Sequence, residues 1–409
     1  MNNQLKLSVL DLVPHLGESS FEEALQQAVT LAQHAEAWGY GRYWVAEHHD
    51  LEHLSCASPE ILLSHIGART TSIRLGSGAV LLPHYSPLKV AENFRMLAAL
   101  YPGRIDLGIG RAPGGSAHTS MALSGNFLGH VADLPQRIRS LTELLEDRYR
   151  YEDVPVAAKP VPATQPVMWM LGTNTKGVGY ASEFGMGYVF GQFMSDADGA
   201  EILRSYKEGF QPSAHLQEPR AMVAVSVVCA MTQEEAEKLA ADIPQTGQRT
   251  VAAEPMDKTT VGQDQSLDLV PKEQEGVHRV GVSRSVGRRD TTPAGDGYSQ
   301  REPSEETRGS QVASDVSRSN GIKDTTSVGD GHSQGVPDEG TRDSKEVSIG
   351  STSTSAGPSK KLIVGTPASV RSRLQELAEQ YGCDEFLIVT PVSDYQARLE
   401  SYRLLMEQE

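Results

Sequence analysis

Four short stretches of this chain carry residue types that could do chemistry. The first is Glu47-His48-His49-Asp50, after the apolar run Tyr43-Trp44-Val45-Ala46. Adjacent histidines could ligate a metal, move a proton or sit at the surface. Consecutive side chains at a strand end point to opposite sides, so only one of the pair is expected to face inward. The first apolar segment, Leu5–Pro14, has no His-x-His pair, so the ligand set of a metallohydrolase is not expected. A proton-handling His48 is the preferred role, because imidazole titrates near neutrality. A histidine that only hydrogen-bonds within its loop is the plain alternative.

The second stretch, Gly108-Ile109-Gly110-Arg111-Ala112-Pro113-Gly114, begins like a dinucleotide fingerprint and then fails. Pro113 takes the third glycine position, and a long loop is expected where the fingerprint needs a helix. Arg111, flanked by glycines directly after a strand, suits bidentate pairing with a phosphate; an ion pair with a barrel carboxylate would explain it equally. The third, Gly172-Thr173-Asn174-Thr175, is a strand-to-helix turn whose backbone N–H groups and hydroxyls could hold an anion, or simply cap the helix. Together with Arg111 it would supply the cation and the backbone nest that a phosphate needs. The fourth, Gly76-Ser77-Gly78-Ala79, is small enough to let a flat ligand approach the backbone, or to let a strand and helix pack tightly.

These stretches need a frame that brings strand ends to one rim. Apolar runs of strand length recur near Leu5–Leu10, Arg42–Ala46, Ile73–Leu81, Ile105–Ile109, Val167–Leu171, Tyr188–Phe190, Ala221–Ala230 and Glu385–Val389. Segments of helical spacing lie between them: Phe21–Trp38, Pro59–Thr70, Pro87–Leu100, Leu134–Glu146, Thr175–Phe184, Asp198–Gly209, Thr232–Ala241, Pro367–Gln380 and Tyr395–Met406. Arg111–Val131 reads as a polar loop. Strands that alternate with helices and carry their polar residues at the carboxyl ends predict an α/β fold, a (β/α)8 barrel with its site on one rim.

The alternation breaks between Gln245 and Ser359. That stretch has one aromatic residue, Tyr298, and repeats itself: Ser283-Arg284-Ser285 and Asp290-Thr291-Thr292 return as Ser317-Arg318-Ser319 and Asp324-Thr325-Thr326, 34 residues on. The period matches a helical repeat, but such units need large apolar residues that are missing here. A disordered, duplicated insertion over 245–359 is expected. It would separate barrel strands one to seven (1–244) from the last helix, strand eight and C-terminal helix (360–409).

Composition narrows the classes. A net charge of −16 disfavours nucleic acid and anionic membrane as partners. Three cysteines, Cys56, Cys229 and Cys383, form neither a disulfide framework nor a zinc motif. The start of the chain lacks a signal-peptide pattern, and the longest apolar run is about half a bilayer span, so a cytoplasmic protein is expected.

At Ala46-Glu47-His48-His49, Leu75-Gly76-Ser77-Gly78-Ala79-Val80-Leu81-Leu82-Pro83 and Tyr101–Gly114 the chain resembles the bacterial luciferase-like flavin-dependent monooxygenases. The resemblance covers about Leu5–Ala241 and Val364–Met406. It implies reduced FMN as cofactor, supplied by a separate flavin reductase, with O2 and a small organic substrate such as an aldehyde or another hydrophobic molecule. It implies His48 as the active-site histidine, a cis peptide at Gly78–Ala79 behind the flavin ring, and flavin contacts from Ser77, Gly78, Ala79 and Gly110. It further implies phosphate-side contacts from Arg111, Gly172, Thr173 and Asn174, no metal, and a homodimer. True luciferases carry a cysteine at the position of Gly110, so light emission is not expected. Two alternatives stand beside this reading: hydride transfer with F420 on the same fold, and a catalytically weakened barrel acting as an interaction protein.

Overall fold

A computed structural model describes residues 5–243 and 361–407. The expected insertion at 245–359 lies outside the described residues. The barrel strands are β1 (Lys6–Asp11), β2 (Arg42–Val45), β3 (Arg74–Ser77), β4 (Ile105–Gly110), β5 (Val167–Gly172), β6 (Gly187–Gly191), β7 (Ala221–Cys229) and β8 (Glu385–Val389). Each pairs in parallel with the next, and β8 pairs with β1, so the cylinder closes. The crossover helices are α1 (Phe21–Trp38), α2 (Pro59–Gly67), α3 (Pro87–Leu100), α4 (Leu134–Leu145), α5 (Thr175–Glu183), α6 (Gly199–Gly209), α7 (Pro367–Tyr381) and α8 (Tyr395–Met406). This is the (β/α)8 barrel that the alternation predicts.

Local chemistry sets the element ends. Ser20 and Glu23 close a reciprocal capping box at the start of α1, and Gly39 ends it in the left-handed conformation. Pro59 and Pro87 open α2 and α3 at positions where a missing N–H costs nothing.

Three elements depart from the sequence reading. The predicted strand Ile73–Leu81 is two pieces, β3 and Val80–Leu81, with the cis Gly78–Ala79 bond between them. Both pieces pair with β4. Arg111–Val131 is not a plain loop: it holds two short helices, Ala117–Ser124 and Phe127–Ala132, capped by Ser116 and Asn126. Finally, Leu362–Gly365 adds a short parallel strand to the far half of β7. It is four residues long and bounded on one side by polar sequence, so its pattern is too short to read.

Alternate strand residues point in and out. Val9, Tyr43, Val45, Leu107 and Ile388 join the layer beneath the helices, while Leu10, Trp44, Trp169, Val189, Met222 and Leu387 fill the cylinder. The two tryptophan rings meet edge to face at 5.8 Å. They fit because Gly76 and Gly187 face them: a Cβ at either would fall within 2.4 Å of an indole atom.

Below them, the amino-terminal end is closed by charge. Arg42 donates to Asp106 and Glu385, each at 2.6 Å, and Arg74 to Asp106 at 2.5 Å. The inner core therefore plugs the cylinder from below and leaves only its carboxyl rim open for a site. No helix among the described residues is long and apolar enough to cross a membrane.

Candidate functional site

The rim begins with the segment that leaves β2. Glu47, His48 and His49 are sequence neighbours in different environments. The Glu47 carboxylate is buried and accepts from His49 Nε2 at 2.8 Å, the Tyr85 hydroxyl at 2.8 Å and the Leu81 N–H at 3.1 Å. His49 is thus fixed inside the rim wall. Its backbone N–H also donates to the Gly114 carbonyl at 2.8 Å.

The His48 backbone N–H donates to the Cys56 carbonyl at 2.9 Å. Its Nδ1 is buried and has no hydrogen-bond partner among the described residues. Burial pushes its imidazole down to about 4, with His49 and His53 adding to the effect. His48 is therefore neutral at physiological pH and offers a lone pair or an N–H that nothing in the rim uses.

The next wall is the broken strand after β3. The Gly78–Ala79 peptide is cis. Gly110, at the end of β4, lies against Ala79: a Cβ there would approach the Ala79 Cβ to 3.2 Å. Ser77 is engaged otherwise. Its buried hydroxyl donates to the Gly108 carbonyl at 2.8 Å and accepts from the Gly108 N–H at 3.1 Å, so the side chain ties β3 to β4.

Arg111 and the first turn of α5 share one cavity of about 480 Å³, lined by Arg111, Leu128, Val131, Thr175, Lys176 and Tyr180. The turn Gly172-Thr173-Asn174 leads into α5 and is not among the residues that line the cavity. The Asn174 side chain caps α5 by accepting from the Lys176 N–H at 3.1 Å, which is the capping role weighed for it. The Thr173 carbonyl accepts from the Ser195 hydroxyl at 2.6 Å. Gly172 leaves room for the Tyr188 ring, whose hydroxyl would stand 3.1 Å from a Cβ there. Two cationic side chains, a helix amino terminus and apolar flanks make this cavity suited to an anionic group on an organic ligand.

The helices after β4 cover this side of the rim, and histidines hold them down. His84 Nε2 donates to the Pro113 carbonyl at 2.9 Å, and His130 Nδ1 donates to the Pro83 carbonyl at 2.8 Å. The Thr119 hydroxyl donates to Asp50 at 2.9 Å. His84 also stacks on Phe127, centroids 4.9 Å apart.

Sequence reasoning missed Glu47, His84 and His130 as site-building residues. Ser116 and Asn126 before short apolar patches, with Gly125 between, were the available signal for the covering helices. Nothing in the sequence marks His84 as the partner of Pro113, or His130 as the partner of Pro83. Among the described residues no three His, Cys, Asp or Glu side chains gather as metal ligands would.

Comparison with known proteins bears on the same rim. The family model described as luciferase-like monooxygenase matches residues 5–385. An uncharacterized protein of Bacillus subtilis (strain 168), YwcH, is 37% identical over 407 residues, covering 98% of each chain. The N-acetyl-S-alkylcysteine monooxygenase of the same organism is 39% identical over 240 residues, 57% of this chain and 70% of that one. Among solved structures, apo-MsnO8 is similar with a TM-score of 0.66 at 26% identity, covering 98% of both chains. A match this extensive, on a barrel whose rim carries His48, the cis Gly78–Ala79 bond and Arg111, places the chain in the luciferase-like monooxygenase family.

Proposed function

We propose that this protein is a flavin-dependent monooxygenase that uses reduced FMN and O2 on a small apolar organic substrate. The observation that carries the reading is the shared cavity of Arg111 and the α5 amino terminus, on the same rim as the cis Gly78–Ala79 wall. A ribityl phosphate needs a cation and backbone dipoles at one end and a flat, small-residue wall at the other. Gly110 beside Ala79 keeps that wall free of side chains. The buried, unpartnered Nδ1 of His48 is a second fit, because such an atom calls for a polar ligand group beside it.

In this reading FMN, when bound, supplies the electrons that activate O2. The chain supplies the rest. Arg111, Lys176 and the backbone at Gly172-Thr173-Asn174 bind the phosphate end. Gly78, Ala79 and Gly110 seat the ring, and Ser77 holds β3 against β4 behind it. The helices Ala117–Ser124 and Phe127–Ala132 exclude water from the covered side. His48, neutral at working pH, accepts or returns a proton at Nδ1. Leu128 and Val131 of the covering helix Phe127–Ala132 add apolar surface beside the cavity, which favours an apolar substrate. A small S-alkyl compound fits the class, by analogy with the relative named for N-acetyl-S-alkylcysteine. A separate flavin reductase would deliver the reduced cofactor.

The test is titration of the purified full-length protein with FMN and, in parallel, with F420, each followed by quenching of cofactor fluorescence. Saturable quenching by FMN at micromolar concentration, with an oxygenated product of a thioether or aldehyde detected by mass spectrometry once reduced FMN and O2 are supplied, is the expected result. Selective binding of F420 would replace monooxygenation by hydride transfer. A response to neither would overturn both.

A further inference from the structure

The family likeness assigns no role to the side chain before His48. We propose that Glu47 is a positioning residue, whose buried carboxylate fixes the distance between His48 and the wall formed by Ala79–Leu81. The inference rests on the reading that a flavin lies against that wall.

Its ground is the origin of the three donors that Glu47 accepts. His49 Nε2 comes from the segment leaving β2, the Leu81 N–H from the strand piece just past the cis bond, and the Tyr85 hydroxyl from the turn that leads to α3. Tyr85 is itself anchored from a fourth direction, because Arg137 of α4 donates to its carbonyl at 2.8 Å. A carboxylate only 3% exposed is costly unless donors replace its water. Here two donors meet one carboxylate oxygen and a third meets the other, and they converge from separate parts of the chain. His48 sits between Glu47 and His49, both locked by this carboxylate, while its own Nδ1 has no hydrogen-bond partner among the described residues. Ala79 lies two residues before Leu81, whose N–H is the third donor. Moving the carboxylate would therefore move both walls of the space between them.

The carboxylate also sets the tautomer of His49 by taking its Nε2 proton, and it raises the Tyr85 phenol, after burial, well above its usual range. The Tyr85 phenol thus remains a donor throughout the working pH range. The unit is a fixed spacer and not a proton relay to His48, since no hydrogen bond among the described residues links it to the His48 ring.

Glu47→Asp and Glu47→Gln separate length from charge. The aspartate is one methylene shorter and cannot reach all three donors; the glutamine keeps the length and an oxygen for His49 and Tyr85, and loses only the bond from the Leu81 N–H. FMN affinity would be measured by fluorescence quenching, and the His48 titration by histidine side-chain NMR on cofactor-free protein. Glu47→Asp is expected to weaken FMN about tenfold and to bring the His48 titration up from about 4 toward the ordinary histidine range. Glu47→Gln is expected to stay within about threefold of the parent in affinity, with its His48 titration unchanged.

A purely structural role would lower the melting temperature of both variants and leave the His48 titration alone. Parent-like behaviour of Glu47→Asp, or a Glu47→Gln variant as weak as it, would overturn the proposal. Should Glu47→Asp fail to fold, Tyr85→Phe removes one donor and keeps the ring; it is expected to weaken FMN about threefold, and no change would be equally fatal. A parent protein that ignores FMN refutes the cofactor reading instead, and the NMR titration still decides the role of Glu47.

Discussion

Arg111, directly after β4, and Lys176, in the first turn of α5, line one cavity. Neither belongs to an ion pair among the described residues, so both charges are available to a ligand. Arg111 follows a buried strand on a glycine-flanked turn, which fixes where its guanidinium starts. Lys176 lies in the first turn of α5, where a cation is unfavourable beside the helix dipole unless an anion shares the site.

Replacement of Arg111 by alanine is expected to weaken FMN binding by ten- to hundredfold, about 1.5–3 kcal/mol for a charge-assisted contact. Lys176→Ala is expected to cost less, because Lys176 is exposed and screened. Fluorescence titration at two salt concentrations checks both. Loss of the parent's salt dependence in Arg111→Ala is the accompanying signature.

His48→Gln is expected to bind FMN like the parent and lose most turnover, measured as oxygenated product formed per reduced FMN supplied. Its stability profile should differ too. The folded His48 titrates near 4, below its unfolded value of 6.5, so the unfolded chain takes up the proton first. Folding stability is unaffected by this group above pH 6.5 and falls as pH drops from 6.5 toward 4. Urea denaturation at a series of pH values should show a shallower acid loss in His48→Gln than in the parent.

Glu36 gives an acid-side control away from the rim. Its carboxylate accepts from the backbone N–H groups of Thr71, Ser72 and Ile73 and from the Ser72 hydroxyl. These bonds overcome its desolvation and hold it at about 2. Its stabilisation is complete above pH 4.5 and is lost as pH falls toward 2. Glu36→Gln should therefore melt a few degrees below the parent at pH 7, an effect of about 1 kcal/mol after screening, and coincide with it near pH 2.

Asp106 bears on the barrel floor. It accepts from Arg42 and Arg74, and from Trp44 Nε1 at 3.2 Å, and it is fully buried. Asp106→Ala leaves a buried guanidinium partly uncompensated and should cost about 3–5 kcal/mol in urea denaturation. FMN affinity, measured on whatever fraction folds, should stay near the parent's, because the floor lies at the opposite end from the rim.

Much of this was legible in the sequence, and the reasons are physical. Buried parallel strands are near-continuous apolar runs, so Ile105–Gly110 and Glu385–Val389 announce themselves; helices with serine or proline starts do the same. Gly76, Ser77, Gly78 and Ala79 stand out as small residues at a strand end, which suit either a flat ligand or tight strand–helix packing, whereas Gly110 is singled out only by the family resemblance. What stayed hidden depends on contacts between distant segments. Glu47 is one residue among several acids until Leu81 and Tyr85 fold against it. Ser77 reads as a ligand contact until Gly108 takes its hydroxyl. The covering helices over 117–132 are too short for their periodicity to outweigh their polar composition.

Binding of FMN at the carboxyl rim is the claim on which the rest stands, and the comparison of parent and Arg111→Ala in one fluorescence titration tests it most directly. Saturable quenching by the parent, weakened at least about tenfold in the variant while its melting temperature is unchanged, is the expected result. Equal affinity in the two proteins, or no response from the parent, would contradict it.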